Sequence, residues 1–523
     1  MLHYRGKLYI ITDKAGAVPV FCYAKGNSVE ISNTWLPLAK NNNVSLNYQS
    51  AAHYISSTTF NCKAFHAKTL ANEISLLDHA TIYTLGKNLT VERYCAFGKD
   101  LTIDKYKSLE DVVDRAEKII SDNFAFLKDT SGIHCNVTGG FDTRTNLAVL
   151  MHEGIPFNAG NELPVRHDSI LTKGRYSDLV ISKKIAERFN LDLDTYTGEE
   201  FRASVARKRK YNDLIYLLFE ANCTAERLDY IFKIAKKHKI VITGMLGSEV
   251  VNQHFHFLQN YRGLGADTFV REAYPYVDVI NDERFSEKEY YGSMTSALED
   301  MLSGIRYQNP EDLSAFINYF AFYRTDFSKM LGAYNCGIPA YSPFLEADFL
   351  KFIIGVPFKM KNWHSIQRIL ISRLNRELAS IDTTHGYPAS TVTYRNFYRF
   401  LRLLNPIEPN LQYVGVLRRL SGFFKRKLWA NHGVYRFVKS VYKGYLNRLK
   451  GIEKKFADDD LAIYKSGRFI TSAPVFKVID KNKMEKAVKK YGTGGIIKGK
   501  TAFDIVLRAD KLNHLLEEVS FKL

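Results

Sequence analysis

The chain reads as an α/β protein built on a parallel sheet, with a β-rich segment before it and a helical, basic segment after it. Three observations predict this. Between about residues 106 and 395, short apolar runs of strand length alternate with stretches of helical periodicity. Residues 1 to about 105 instead carry short apolar runs separated by turn residues. Beyond about 395, aromatic and aliphatic residues recur at helical spacing among Lys and Arg. A chain of 523 residues, 46% hydrophobic, has material for two or three packed units and no case for global disorder. The expected division is 1–105, 106–395 and 396–523.

Taken in order, Leu8 to Thr12 and Val18 to Tyr23 read as strands around the turn Asp13-Lys14-Ala15-Gly16. Leu109 to Phe126 has helical spacing through Val112, Val113, Ala116, Ile119 and Ile120. Ile133 to Val137 reads as a buried strand. Asn146 to His152 reads as a helix that Gly154 is placed to stop. Ser182 to Phe189 predicts a further helix and Lys239 to Thr243 a further strand.

Composition narrows the setting. Six cysteines lack CxxC or ladder spacing, which argues against a disulfide framework or a cysteine zinc site and fits a reducing cytoplasm. Met1 to Lys7 has no apolar signal core, and no apolar run approaches the roughly 20 residues of a spanning helix. The expected location is cytoplasmic, with peripheral attachment to the inner face of a membrane as the alternative. The net charge of +18 is concentrated: between Tyr394 and Lys455, fifteen Lys or Arg stand against Glu408 and Glu453. Such a block suits an anionic partner.

Thr138-Gly139-Gly140-Phe141-Asp142-Thr143-Arg144 follows the strand at Ile133. Two glycines let backbone approach an anion closely, and the next amides open a helix, whose dipole favours negative charge. Thr138 and Thr143 can donate hydroxyl hydrogen bonds, and Arg144 adds positive charge. Bare phosphate would repel Asp142, so its useful role beside phosphate is to hold Mg2+ that bridges phosphate oxygens. The plainer alternative is a tight strand-to-helix turn whose Asp caps the helix.

The heptad resembles the Ser-Gly-Gly-x-Asp-Ser loop of the asparagine synthetase superfamily, which includes β-lactam synthetases and lasso-peptide cyclases. Three further segments fall in that family's order. Tyr176-Ser177-Asp178 is similar to its conserved helix start. Ile242-Thr243-Gly244-Met245-Leu246-Gly247-Ser248-Glu249 is similar to the Ser-Gly-x-Gly-x-Asp-Glu segment lining its AMP site. Ile338 to Glu346 resembles its Arg-x-Pro-Phe-Leu-Asp. The resemblance spans roughly 105 to 390 and implies an ATP-pyrophosphatase sheet of the adenine nucleotide α-hydrolase type. It further implies AMP-forming chemistry: a substrate carboxylate is adenylated with ATP, and ammonia or an amine then makes an amide. On that likeness Val137, Thr138, Gly139, Gly140 and Thr143 cradle pyrophosphate, Thr243 and Gly244 lie against AMP, and Asp142 and an acid near 249 hold Mg2+.

The sequence departs from the family at several points. Ungapped alignment puts Ser248 at the family's Asp, whereas one insertion at Leu246 puts Glu249 there. A hard cation wants a carboxylate, so Glu249 is the expected ligand beside Asp142. The family's lysine after the helix containing Arg368 and Arg373 has no counterpart in Thr383-Thr384-His385-Gly386-Tyr387. His385 is the available substitute there, although a histidine is a poorer permanent cation than lysine. Near the N-terminus, Thr12 to Phe21 resembles a hairpin from inside the family's glutamine-hydrolysing domain, which implies a truncated remnant. Residue 2 is Leu rather than the nucleophilic Cys, so glutamine hydrolysis is not expected. Nitrogen would then come from free ammonia, a separate glutaminase or an amine on the substrate.

Two other features are weighed against this reading. Gly494 to Thr501 fits the Walker A pattern, but a charged helix over Lys481 to Tyr491 precedes it instead of a buried strand. Tyr413, Val416, Leu417, Leu420, Phe423 and Phe424 recur at helical spacing between basic residues. A core-facing helix with a solvated basic face accounts for them. A helix resting on anionic lipid is the sharper alternative, and nucleic acid comes third because no recognition motif accompanies the charge. The expectation is an AMP-forming amide ligase acting on a small-molecule or glycan carboxylate, with a degenerate nucleotide-binding scaffold as the alternative.

Overall fold

The computed structural model describes residues 2–25, 28–56, 68–85, 89–93, 106, 108–161, 178–195, 225–251, 266–273, 276, 285–303, 317, 328–357, 360–361, 364–384, 386–393, 474–492, 509, 512–513, 515–519 and 521. Strands β1 (Leu2–Tyr4), β2 (Lys7–Ile11), β3 (Phe21–Lys25) and β4 (Ser28–Ser32) lead into helices α1 (Trp35–Asn41) and α2 (Tyr48–Ser56). Strands β5 (Ile74–Leu76), β6 (Thr81–Leu85) and β7 (Leu89–Arg93) follow. They form two antiparallel sheets, ordered β1-β2-β6-β7 and β4-β3-β5. The two expected strands are therefore present, but they do not form a hairpin with each other. β2 pairs with β6, and β3 pairs with β4 and β5. The turn between them explains the divergence. The Asp13 carboxylate accepts from the amides of Ala15, Ala17 and Val18 at 3.0, 2.8 and 3.0 Å. That coils the chain away from β2 instead of folding it straight back. Neither α1 nor α2 was expected. Pro37 sits in the first turn of α1, where the missing N–H breaks no intrahelical bond.

Helix α3 (Leu109–Phe124) starts at a capping box. Ser108 Oγ accepts from the Asp111 amide at 3.1 Å, and the Asp111 carboxylate accepts from the Ser108 amide at 3.0 Å. Its buried Val112, Val113, Ala116 and Ile120 match the expected periodicity. Next come β8 (Ile133–Asn136), α4 (Phe141–His152), β9 (Asn158–Asn161), α5 (Asp178–Phe189), β10 (Leu193–Thr195), α6 (Ala225–Ala235), β11 (Ile240–Ile242) and α7 (Gly247–Val250). The chain continues through α8 (Ala266–Ala273), α9 (Glu287–Leu302), α10 (Ser328–Asn335), β12 (Ala340–Tyr341), α11 (Ala347–Gly355), α12 (Ser365–Leu374) and α13 (Arg376–Ser380).

Five of these strands form the expected parallel sheet, in the order β10-β9-β8-β11-β12. All four residues of β8 are buried, as a strand covered on both faces requires. Sequence order runs from β8 through β9 to β10 on one side, and on the other side β11 and β12 follow. Strand order thus reverses between β8 and β11. Such a reversal, at the carboxyl ends of the strands, is the usual ligand position in open α/β sheets.

One contiguous core cluster includes Phe21 and Trp35 from the N-terminal sheets, Cys135 and Val241 from the parallel sheet, and Leu515 and Val519 near the C-terminus. Trp35 stacks on Phe521 with centroids 6.3 Å apart, and Lys40 pairs with Glu518. The expected charged helix before the Walker-like segment is α14 (Lys481–Gly492). Gly494 to Thr501 and the basic stretch 394–455 lie outside the described residues. Among the described residues no helix is long and apolar enough to cross a membrane.

Candidate functional site

The segment Val137 to Gly140 leaves the carboxyl end of β8, at the reversal in strand order. Its root is pinned. The Val137 amide donates to Gly160 O at 2.6 Å, and Val137 O accepts from Asn161 Nδ2 at 3.0 Å and from Ser182 Oγ at 2.7 Å. Thr138 and Thr143 hydroxyls lie 2.7 Å apart. The Thr138 amide donates to Thr143 Oγ1 at 3.2 Å, and the Gly140 amide donates to Thr138 Oγ1 at 3.3 Å. The Gly139 amide donates to Asp178 Oδ1 at 2.7 Å, which ties the loop to the first residue of α5. A Cβ on Gly139 would lie 2.4 Å from the Thr384 methyl carbon, so only glycine lets the loop pass under that residue. Gly140 then caps α4. The turn therefore combines a helix N-terminus and two adjacent hydroxyls, and its own amides are paired within the protein.

Asp142 is the best-defined group of the site. Ser248 Oγ donates to its Oδ2 at 2.6 Å, and Gln367 Nε2 donates to its Oδ1 at 2.7 Å. Burial holds its carboxyl above the ordinary carboxylate range, and hydrogen bonds from the Ser248 and Gln367 side chains and the Ser248 backbone offset part of that rise. The segment after β11 packs tightly on this carboxylate. A Cβ on Gly247 would lie 2.5 Å from Asp142 Cγ. Thr243 and Gly244, expected at the same site, are there. Thr243 O accepts from Asn146 Nδ2 of α4 at 2.8 Å, and Gly244 lies against the backbone of Thr143.

Arg144 has a different task from the one its place in the motif suggests. It is 1% exposed. Nη1 donates to Ile381 O at 2.7 Å and Nη2 to Asp382 O at 3.1 Å. Burial lowers its pKa to about 10, while the Asp382 and Asp178 carboxylates favour the charged form. The guanidinium thus clamps the segment after α13 over the loop. In that segment the Thr384 amide donates to Gly139 O at 3.1 Å, and the Thr383 amide donates to Tyr387 O at 2.7 Å. His385 lies outside the described residues, between Thr384 and Gly386, which are described. For the metal position, Ser248 is the residue that reaches Asp142. Glu249 belongs to α7, but its side chain lies outside the described residues.

Sequence reasoning missed Gln367 and His364. His364 is buried, stacks on Phe141 at 3.9 Å between centroids, and places Nδ1 3.1 Å from Gln367 Oε1. Arg368, one residue on, is buried over the rings of Phe141 and Tyr387, at 5.6 and 4.9 Å. All of these are polar or basic groups buried at the start of α12, more than two hundred residues from the loop. A polar residue on the core-facing side of α12 is the one sequence signal that could have marked them.

A cation such as Mg2+ takes hard oxygen donors, typically one or two carboxylates with water and phosphate completing the shell. Asp142 fits: its carboxylate accepts from the Ser248 and Gln367 side chains and from the Ser248 backbone, and still retains acceptor capacity. Among the described residues no cluster of three or more His, Cys, Asp or Glu could hold a metal. Asp142 alone fits an ion whose remaining ligands come from phosphate and water.

Fold and site together define an α/β protein whose five-stranded parallel sheet carries a Thr-Gly-Gly turn where its strand order reverses. No protein-family model and no curated protein matches the chain. Among solved structures it is similar to the NMN synthetase from Francisella tularensis, at 14% identity and a TM-score of 0.20. The match covers 42% of this chain and 94% of that one. A superposition that loose does not say which atoms correspond, so the residues of this chain carry the reading below.

Proposed function

We propose that this chain is an ATP-dependent, AMP-forming ligase that adenylates a substrate carboxylate and transfers the acyl group to ammonia or an amine. One observation carries the reading. A Thr-Gly-Gly-x-Asp-Thr turn leaves the central strand where the order of a parallel sheet reverses, and it opens directly into a helix N-terminus. In the reaction a carboxylate oxygen forms a bond to the α-phosphorus. The bond from that phosphorus to the α,β-bridging oxygen breaks, and pyrophosphate leaves with the electron pair.

Little covalent chemistry falls to the protein, which must bind, orient and balance charge. The Thr138 and Thr143 hydroxyls and the first turn of α4 face the pyrophosphate. Thr243 and Gly244 line the side toward the adenylate. Arg144 holds the segment carrying His385 against the loop. Magnesium held by Asp142 would supply neutralisation of the phosphate charge. Nitrogen comes from free ammonia, a separate glutaminase or the substrate's own amine. A uronic acid, peptide or other small-molecule or glycan carboxylate is the substrate class, by analogy with the family the motifs resemble. Residues 394–455 are proposed to rest on an anionic membrane surface beside such a substrate.

Product analysis tests the route. Incubation with MgATP, a panel of carboxylic acids and an amine should release AMP and pyrophosphate. Release of ADP and orthophosphate would overturn it. One observation favours a second reading, a nucleotide-binding scaffold without turnover: among the described side chains, Ser248 and Gln367 reach Asp142 and no second carboxylate does. Nucleotide binding with no product from any acid would support that reading.

A further inference from the structure

The two side chains that donate to Asp142 come from separate parts of the chain and arrive in the same way, and the Ser248 backbone adds a third hydrogen bond. Ser248 is the second residue of α7, and Gln367 is the third residue of α12. Each helix is preceded by a non-glycine residue in the left-handed conformation, Leu246 at φ 67° and His364 at φ 55°. Among the described residues three other non-glycine residues have positive φ, and none of those belongs to this cluster. Such a backbone is costly for a leucine and persists only where its surroundings require it.

The hydrogen-bond directions are fixed by chemistry. A carboxylate only accepts, so Gln367 turns its NH2 toward Asp142. Its carbonyl oxygen therefore faces His364, whose Nδ1 must carry the hydrogen. The His364 ring lies flat on Phe141, the residue before Asp142, with an interplanar angle of 17°. The chain of contacts closes on itself: Phe141 to His364, His364 to Gln367, Gln367 to Asp142. On the other side, the Gly247 backbone fits against Asp142 and brings Ser248 to the second oxygen. Both oxygens are thus held from opposite sides by groups that are themselves held.

We propose that Ser248 and Gln367 are positioning residues that fix the plane of the Asp142 carboxylate, with His364 setting the orientation of the Gln367 amide. Their purpose is to aim the remaining lone pairs of Asp142 at the cation of a metal–pyrophosphate complex. This rests on the pyrophosphate reading of the loop. Neither residue touches the reacting atoms; they act through Asp142.

The test is isothermal titration calorimetry of the full chain with magnesium pyrophosphate, and separately with pyrophosphate in EDTA. Thermal melting of each variant without ligand checks the fold. Gln367→Met and Ser248→Ala should each weaken magnesium pyrophosphate binding about ten- to a hundredfold, the usual effect of removing a group that orients a metal ligand. Binding in EDTA should change far less, and Ser248→Thr, which keeps a hydroxyl, should restore affinity. In an Asp142→Asn background the further change Gln367→Met should have little effect, because the carboxylate it orients is gone. An equal loss with and without magnesium, or an undiminished loss in the Asp142→Asn background, would overturn the inference. If the unaltered chain binds no pyrophosphate under either condition, the reading of the loop itself falls, and this inference falls with it.

Discussion

Arg144 carries two readings that a single substitution separates. Its motif position suggests a charge offered to phosphate, whereas its contacts make it a fork across two carbonyls at Ile381 and Asp382. Arg144→Lys keeps the charge and loses the planar, two-direction donation. If the clamp is its task, this change should cost about 1–3 kcal/mol of stability, measured by urea unfolding, because a buried carbonyl is left unpaired. Unchanged stability with lost activity would return Arg144 to the reaction itself. At this scale the sequence was informative where chemistry is local. Thr138, Gly139, Gly140, Asp142 and Thr143 lie in one short motif, and the structure keeps them together at the turn between β8 and α4. Gln367 and His364 were not legible. They meet Asp142 only because α12 packs on α4, and a polar residue at a core-facing position does not by itself say which group it faces.

Among the elements, β8 and α6 hold a buried polar pair that should be visible in the pH dependence of stability. His134 is fully buried in β8, with Nε2 2.6 Å from the Tyr230 hydroxyl of α6, and Tyr230 donates to Asn136 Oδ1 at 3.2 Å. Tyr230 therefore accepts from His134, and the second ring nitrogen, Nδ1, has no hydrogen-bond partner among the described residues. Burial, with the nearby His238 adding to it, lowers the His134 pKa from 6.5 to about 3. Between those values the unfolded chain binds a proton that the folded chain refuses. The stabilisation is complete above pH 6.5 and is lost as pH falls toward 3. Urea unfolding at pH 7 and pH 5 should show a smaller loss for His134→Gln than for the unaltered chain; equal losses would contradict this. The elements themselves were unevenly readable. α3 carries a capping box and a clean apolar stripe, and its expected span is close to the observed one. The start of α4 was expected from the two glycines, but apolar spacing marked only its second half. Its first half buries Thr143, Arg144, Thr145 and Asn146, so polar residues hide a helix covered on nearly all sides. Strand β9 reads Asn-Ala-Gly-Asn and owes its existence to pairing with β8, not to propensity.

Across the whole molecule, the expected division into three stretches meets a core that does not divide in the same way. Trp35 is completely buried, donates from Nε1 to Thr69 Oγ1 at 3.0 Å, and stacks on Phe521 at the far end of the chain. The same contiguous cluster runs into the parallel sheet. N-terminal sheets and parallel sheet should therefore unfold together, as one calorimetric transition. Trp35→Ala, which removes about 3–5 kcal/mol of buried packing, should lower the melting temperature of that single transition. Two resolved transitions, with only the smaller one shifted, would contradict a shared core. The parallel sheet was legible because alternating strands and helices leave few other architectures. The two antiparallel sheets were not, because their pairing depends on how the Asp13 turn coils, and it was the resemblance of Thr12 to Phe21 to a family hairpin that suggested direct pairing.

Placing the loop at the reversal of strand order gives the account its central claim, that this chain activates a carboxylate at the expense of ATP. The most direct measurement is exchange of labelled pyrophosphate into ATP, with a panel of carboxylic acids, for the unaltered chain and for Asp142→Ala. The account predicts acid-dependent exchange that Asp142→Ala reduces at least a hundredfold, about 3 kcal/mol in the barrier. Exchange that survives Asp142→Ala undiminished, or binding of ATP with no exchange for any acid, would contradict it.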